Sequence, residues 1–190
     1  MPADDDITQA VLSNDEYQQA RATVRQTFGF GVERKLLLAI ATLFSVVALA
    51  PLIAFRQDLI RSLEGAETYV LLLGVLALQG ILTTTAAALL LLRQYRIIQT
   101  RDLETAEARR LVRMEDLFTW FLLLGTAFVS LSVLAAGVGV LSPGTVERLY
   151  ESEVFVYREA ETIPADVRYV SAAGGFLGFG ISLLLWSIRS

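Results

Sequence analysis

The sequence contains no cysteine and no histidine, and its only lysine is Lys35. Without cysteine, no disulfide can cross-link the loops and no thiolate can act as a nucleophile or bind a metal. Without histidine, Ser–His dyads, Cys/His zinc sites and the usual haem ligands are excluded as well. We therefore predict that the protein is not an enzyme and that it has no catalytic residues, no cofactor and no metal site.

Charged residues are also missing from four long segments of the 190-residue chain, 36–55, 69–92, 117–141 and 169–188. Each has about 20 residues or more, which as a helix is long enough to cross a hydrocarbon core about 30 Å thick. Hydrophobic residues make up 54% of the chain, and a helix satisfies its own backbone hydrogen bonds, as lipid requires. The composition therefore predicts an all-α integral membrane protein with four transmembrane helices.

Basic residues are distributed unequally among the segments that flank these helices. Eleven of the sixteen lie in the N-terminal arm (1–35), in loop 93–116 or at the C-terminus. Under the positive-inside rule, both termini and loop 93–116 face the cytoplasm. The chain starts "MPADDD", without the basic n-region of a cleaved signal peptide, so we expect the first span to be retained. The sequence predicts a multi-pass cell-membrane protein whose membrane domain comprises residues 36–190.

The N-terminal arm contains a short amphipathic pattern. Ser13 and Glu16 fit a capping box at a helix start, and Tyr17, Ala20 and Val24 then fall on one helical stripe that continues to Phe28. This pattern predicts an amphipathic cytoplasmic helix. Its apolar face either lies on the anionic inner leaflet or a partner, or packs on loop 93–116 of the same chain.

Loop 93–116 has no proline or glycine, so we predict helical extensions of the second and third spans. Such an extension holds Arg109, Arg110 and Arg113 near the lipid headgroups, where each basic residue contributes about 1 kcal/mol of attraction to anionic lipid. We expect no nucleic-acid partner. The alternative is a topology signal, with acids such as Glu115 and Asp116 in surface ion pairs. Those two carboxylates could also serve acid–base chemistry, but no paired-carboxylate motif accompanies them.

Prolines mark the outer ends of the first and last spans. Pro51 cannot donate to the carbonyl of Val47, which predicts a bend there. Pro164 fits the first position of the last helix. The outer loop that precedes this helix, 142–168, starts with a turn sequence, "SPGT", and holds six acidic residues without an EF-hand spacing. We expect a solvated acidic surface; a surface that attracts cations to a pore mouth is the alternative.

The four apolar segments contain no Asp, Glu, Lys, Arg or His, so proton relays and voltage sensors of the usual kind are not expected. The most polar mid-span residue is Gln79, which lies near Thr83, Thr84 and Thr85 in the second span, and Thr126 with Ser130 form a similar polar pair in the third. They could line a narrow polar path. They could equally form hydrogen bonds between helices, at about 0.6 kcal/mol each. The second interpretation is favoured because hydroxyl groups also bond back to their own helix.

The last span contains four glycines within seven positions, 174–180. A dinucleotide fingerprint needs a third glycine three residues after Gly180, where the chain has Leu183. A potassium-selectivity filter precedes a full inner helix, whereas the chain ends soon after Gly180. Neither kind of ligand site fits the spacing.

Helical geometry gives these glycines a packing role. At about 100° per residue, a strip of small residues covers about a third of the helix; it comprises Ser171, Gly174, Gly175, Gly178 and Ser182. The GxxxG pair Gly174 and Gly178 permits close approach of another helix. Ser132 and Ala136 of the third span could supply the facing surface, and Gly180 lies off the strip.

The sequence thus predicts a non-enzymatic membrane protein that acts through assembly. It would be a homo-oligomer or a small subunit of a membrane complex, with the lipid bilayer and other membrane helices as its partners. The alternative is a pore-forming channel or transport component lined by Gln79 and the cluster Thr83–Thr85.

Overall fold

The computed structural model describes residues 16–24, 27–54, 66–141 and 167–189, together with Gly144 and Arg148. All regular structure in this part of the chain is helical. The elements are α1 (Glu16–Thr23), α2 (Val32–Ser45), a 3-10 turn (Val46–Ala48), α3 (Leu49–Ala54), α4 (Ala66–Thr100), α5 (Thr105–Leu141) and α6 (Val167–Arg189).

Four helical segments are long and apolar enough to cross a membrane, namely Val32–Leu52, Leu73–Thr100, Thr105–Val138 and Arg168–Arg189. The prediction of an all-helical chain with four candidate spans is confirmed. Helices α4 and α5 run well beyond the charge-free segments, so residues 93–116 are helical except for the short connection 101–104. The capping residue Ser13, Pro164 and most of loop 142–168 lie outside the described residues.

The spans pack as a bundle in which α2 and α4 each contact both α5 and α6. The most extensive contact joins α4 to α5, which form a helical hairpin. These helices cross closely at Gly80 and Gly125. A Cβ atom on Gly80 would lie 2.7 Å from Val129 Cγ2 and 2.9 Å from the carbonyl oxygen of Gly125. Only glycine tolerates that approach, so the crossing depends on one glycine in each helix, and neither glycine belongs to a sequence motif.

The first span is not a continuous α-helix. The 3-10 turn Val46–Ala48 separates α2 from α3 and lies immediately before the turn that contains Pro51. Pro51 has no N–H to donate to Val47, and the tighter 3-10 winding occurs where that hydrogen bond is missing. The irregularity therefore falls where the proline predicts it.

The glycine strip of α6 lies against this irregular part of the first span. A Cβ atom on Gly174 would lie 2.9 Å from Val46 Cβ and 3.0 Å from the carbonyl oxygen of Leu43. A Cβ atom on Gly178 would lie 3.3 Å from Leu43 Cβ. At Gly180 no atom lies within 4 Å of that position, so this glycine is not required by any contact within the described residues.

The facing surface suggested from the sequence, Ser132 with Ala136, is not the one that the strip meets. Ser132 is buried and donates to the carbonyl oxygen of Leu73 in α4, at 3.2 Å. The reason is the order of the helices, since α5 packs on α4 while α6 packs on the first span. The two serines of the strip differ in their hydrogen bonds. Ser182 donates to the carbonyl oxygen of Gly178 at 2.8 Å, whereas the buried Ser171 hydroxyl has no partner in the part of the chain that the structure describes.

Candidate functional site

A buried ion pair lies at the end of the bundle where α2 begins. Lys35 Nζ donates to Glu115 Oε1 of α5 at 2.6 Å, and the two side chains are 0% and 1% exposed. The hydroxyl of Tyr17 in α1 donates to the other carboxylate oxygen of Glu115. The ring of Phe30 lies on the ammonium group, with its centroid 5.6 Å from Nζ. Both carboxylate oxygens therefore accept a hydrogen bond, and the charges of the two partners compensate each other.

The sequence pattern predicts exposed positions for these two residues. Lys35 counts there as one of the basic residues that orient the chain, and Glu115 as an exposed member of surface pairs. Both are buried instead, because α1 covers the outside of α5 and α2 starts before the charge-free segment. A signal exists in the sequence: Lys35 lies one residue before the first apolar segment and Glu115 two residues before the third, which places these opposite charges at similar depth in neighbouring helices.

Further contacts hold the N-terminal arm on α5. Thr27 donates its hydroxyl to Asp116 Oδ2 at 2.8 Å and its backbone N–H to Oδ1 at 3.2 Å. The rings of Phe28 and Trp120 meet edge to face, with centroids 5.2 Å apart. Tyr17 and Ala20, the apolar face of α1, are buried. Of the two interpretations of this amphipathic helix, the structure shows packing on its own chain.

The same end of the bundle is rich in exposed arginine. Gln94 of α4 donates to the carbonyl oxygen of Leu111 at 3.0 Å, which sets the two arms of the hairpin level with each other. Six arginines of this hairpin are exposed and form no ion pair with the described residues: Arg93, Arg96, Arg101, Arg109, Arg110 and Arg113. The C-terminal Arg189 pairs with Glu33 at the start of α2. We call this end of the molecule the arginine-rich end.

The polar residues in the middle of the spans do not form a single cluster inside the bundle. Thr126 faces Thr42 of the first span, with their hydroxyl oxygens 3.1 Å apart. Thr84 is buried beside Gly125, and its hydroxyl has no hydrogen-bond partner in the described residues, like that of Thr85. Gln79 and Ser130, in contrast, are exposed on the outside of the bundle.

Gln79 belongs to an outward face of α4. Its neighbours there are spaced three and four residues apart, and we call the set Gln79, Leu82, Ala86 and Leu89 the Gln79 face. Leu82 is 61% exposed and Leu89 48%. Thr83 lies beside this face, but its hydroxyl donates to the carbonyl oxygen of Gln79 at 2.8 Å. The side-chain amide of Gln79 forms no hydrogen bond with any described residue.

The position of Gln79 along α4 makes this exposure costly in a bilayer. At 1.5 Å per residue, Gln79 lies about 18 Å from Glu67 and about 21 Å from Arg93, the nearest charged residues on either side. A glutamine side chain is too short to reach the headgroups from there. Transfer of an amide from water to hydrocarbon without a hydrogen-bond partner costs roughly 4–8 kcal/mol, on a transfer scale whose apolar solvent forms no hydrogen bonds. Among the described contacts of the single chain, the Gln79 amide is therefore left without compensation in the apolar part of α4.

Among the described residues, no group of three or more acidic side chains could hold a metal ion. No protein family, curated protein or solved structure matches this chain in sequence or fold.

Proposed function

We propose that the protein is a non-enzymatic multi-pass membrane protein that acts through assembly with other membrane helices, as a homo-oligomer or as a small subunit of a membrane complex. The observation that carries this proposal is the outward amide of Gln79, in the middle of a span and without a hydrogen-bond partner among the described residues. A helix from a neighbour would supply that partner. In a bilayer, interhelical hydrogen bonds and packing drive association where lipid offers no hydrophobic gain.

The proposed orientation follows from charge. The arginine-rich end holds the start of α2, the hairpin of α4 and α5, and the end of α6. Under the positive-inside rule this end faces the cytoplasm, with both termini. Exposed Arg109, Arg110 and Arg113 then lie beyond the inner headgroups, where they attract anionic lipid.

The test is the state of the full chain after extraction in a mild detergent. We expect the extracted protein to have the mass of an assembly, formed by its own copies or with co-purifying subunits. A single chain would have a mass of 20.9 kDa. Gln79→Leu should shift the population toward the single chain, because leucine needs no hydrogen-bond partner in lipid. A protein that is monomeric in several mild detergents and in lipid nanodiscs contradicts the proposal.

A pore is the second candidate, and one observation favours it. Gln79 and the adjoining Thr83 face outward from α4, so a ring of several copies that turned this face inward would line its centre with amide groups. Reconstituted liposomes test it directly. Flux of a small ion that Gln79→Leu abolishes supports the pore, and liposomes that stay tight to common ions argue for assembly without conduction.

A further inference from the structure

We infer that the partner of the Gln79 face is a second copy of this chain, paired through Gln79 across a two-fold axis normal to the membrane. This inference rests on the proposed function and goes further, because it names the partner, the helix and the residue at the axis. Two α4 helices then pack side by side, each through Gln79, Leu82, Ala86 and Leu89.

Depth favours a second copy over an unrelated helix. Gln79 lies close to the middle of its span, some 18 Å and about 21 Å from the nearest charges in sequence. Another protein would have to supply a polar group at that same depth, where most spans are apolar. A second copy inserted in the same orientation places its own Gln79 there automatically, and a two-fold axis brings identical residues together.

The chemistry of the side chain favours the same partner. A primary amide has two N–H donors and one carbonyl acceptor, so two facing glutamines can exchange N–H···O hydrogen bonds in both directions. A carboxylate or an ammonium group could not pair with itself in this way. Symmetric pairing therefore satisfies both amides without introducing charge into the bilayer.

The shape of the face suits a helix pair. Its residues follow the three- and four-residue spacing of a left-handed helix seam, and Ala86 leaves room for close approach two turns after Gln79. That spacing alone is not distinctive, since the outward residues of α5 share it: Leu117, Trp120, Leu124, Ala127 and Leu131. The five α5 side chains carry no amide or carboxyl group, and the exposed hydroxyl of Ser130 beside them can bond back to its own helix, so the amide distinguishes the Gln79 face.

The absence of native cysteine makes a cross-linking test clean. Leu82→Cys places a single thiol one turn from Gln79 on the same face and leaves the amide intact. Ala127→Cys is the matched control, because Ala127 is exposed on α5 and lies at nearly the same depth, close to the Gly80–Gly125 crossing. Both variants are treated in membranes with an oxidant or a short bis-maleimide, with and without Gln79→Leu.

We expect Leu82→Cys to yield a cross-linked product with the mass of two chains and Ala127→Cys to yield none. Adding Gln79→Leu should lower the yield about fivefold or more, the loss expected in lipid when both exchanged hydrogen bonds of the pair are removed. An unchanged helical signal and melting temperature for Gln79→Leu will show that the fold is intact, since this position faces outward.

The remaining outcomes separate two failures. If the protein assembles but Leu82→Cys does not cross-link, cross-links to a different protein, or cross-links equally with Gln79→Leu, the second-copy interface is wrong and the proposed function stands. If the protein is monomeric in detergent and bilayers and no variant cross-links, both are wrong.

Discussion

Lys35 and Glu115 show how strongly a single residue depends on its partner in this bundle. Their ion pair is fully buried, so each charge has lost most of its hydration and relies on the other for compensation. The pair Arg189–Glu33 joins the same two kinds of charge at the same end of the molecule, but its side chains are 41% and 47% exposed. Water screens that pair, so its contribution is small.

Substitution of one buried partner should therefore be far more damaging than substitution at the surface. We predict that Lys35→Met lowers the free energy of unfolding by about 3–5 kcal/mol, because it leaves the Glu115 carboxylate buried without its cation. The double variant Lys35→Met with Glu115→Leu should recover much of this loss, since no charge remains to be compensated. Thermal unfolding in detergent micelles measures both.

The matched surface control is Glu33→Gln, which breaks the exposed pair with Arg189. Its expected effect is about 0–1 kcal/mol. Equal effects of Lys35→Met and Glu33→Gln would show that the buried pair is not the stronger contact, and a double variant whose loss equals the sum of the losses of Lys35→Met and Glu115→Leu would show that its charges are not coupled.

Among the helices, close contacts depend on glycines whose partners the sequence leaves open. The strip on α6 is evident from its spacing, but spacing identifies only the face of a helix, not the helix that it meets. Gly174 meets Leu43 and Val46 of the first span. The crossing of α4 and α5 uses Gly80 and Gly125, which are isolated glycines without a motif, so no local pattern could have predicted it.

Matched glycine substitutions test these contacts. Gly174→Ala should lower the melting temperature, by a destabilisation of about 1–3 kcal/mol, because its Cβ would lie 3.0 Å from the backbone oxygen of Leu43. Gly180→Ala, in the same helix, meets no atom within 4 Å. It should be neutral or stabilising by up to about 1 kcal/mol through helix propensity. A Gly174→Ala variant as stable as Gly180→Ala would contradict the close packing of α6 on the first span.

The short helix α1 illustrates another limit of sequence patterns. Its stripe of Tyr17 and Ala20 predicts a buried face but not the surface that buries it. Lipid, a partner protein and the chain itself each offer an apolar surface on which this face could pack. The choice is decided by polar contacts distant in sequence, between Tyr17 and Glu115 and between Thr27 and Asp116. Such pairs cannot be recognised in the sequence, because their residues become neighbours only when the helices pack.

These contacts give a prediction for the arm. Tyr17→Phe removes the hydroxyl that donates to Glu115 but keeps the ring in its buried position. The arm should then leave α5 more often, and trypsin should cleave at Arg21 several-fold faster than in the wild-type protein. Arg101, exposed between α4 and α5, serves as the internal control and should be cleaved at an unchanged rate. Equal cleavage of the arm in both proteins would show that the hydroxyl does not hold it.

For the whole molecule, the absence of charge from four segments was sufficient to predict the helical bundle and its candidate spans, because the cost of charge in hydrocarbon leaves a long and regular signal. The sequence also identified Gln79 as the most polar residue within a span. It could not say whether Gln79 faces inward or outward, since that depends on how α4 is rotated among its neighbours. Because Gln79 faces outward, its amide is placed for a contact with another molecule and not for a contact within the bundle.

Association of whole chains through Gln79 is therefore the decisive property of the proposed assembly. The direct measurement is energy transfer between copies labelled through Ser190→Cys, in liposomes of increasing lipid-to-protein ratio, for the otherwise wild-type chain and for Gln79→Leu. We predict pairs that dissociate on dilution, with Gln79→Leu dissociating at about fivefold or higher protein density. No transfer at any density, or identical dilution curves for the two proteins, would contradict it.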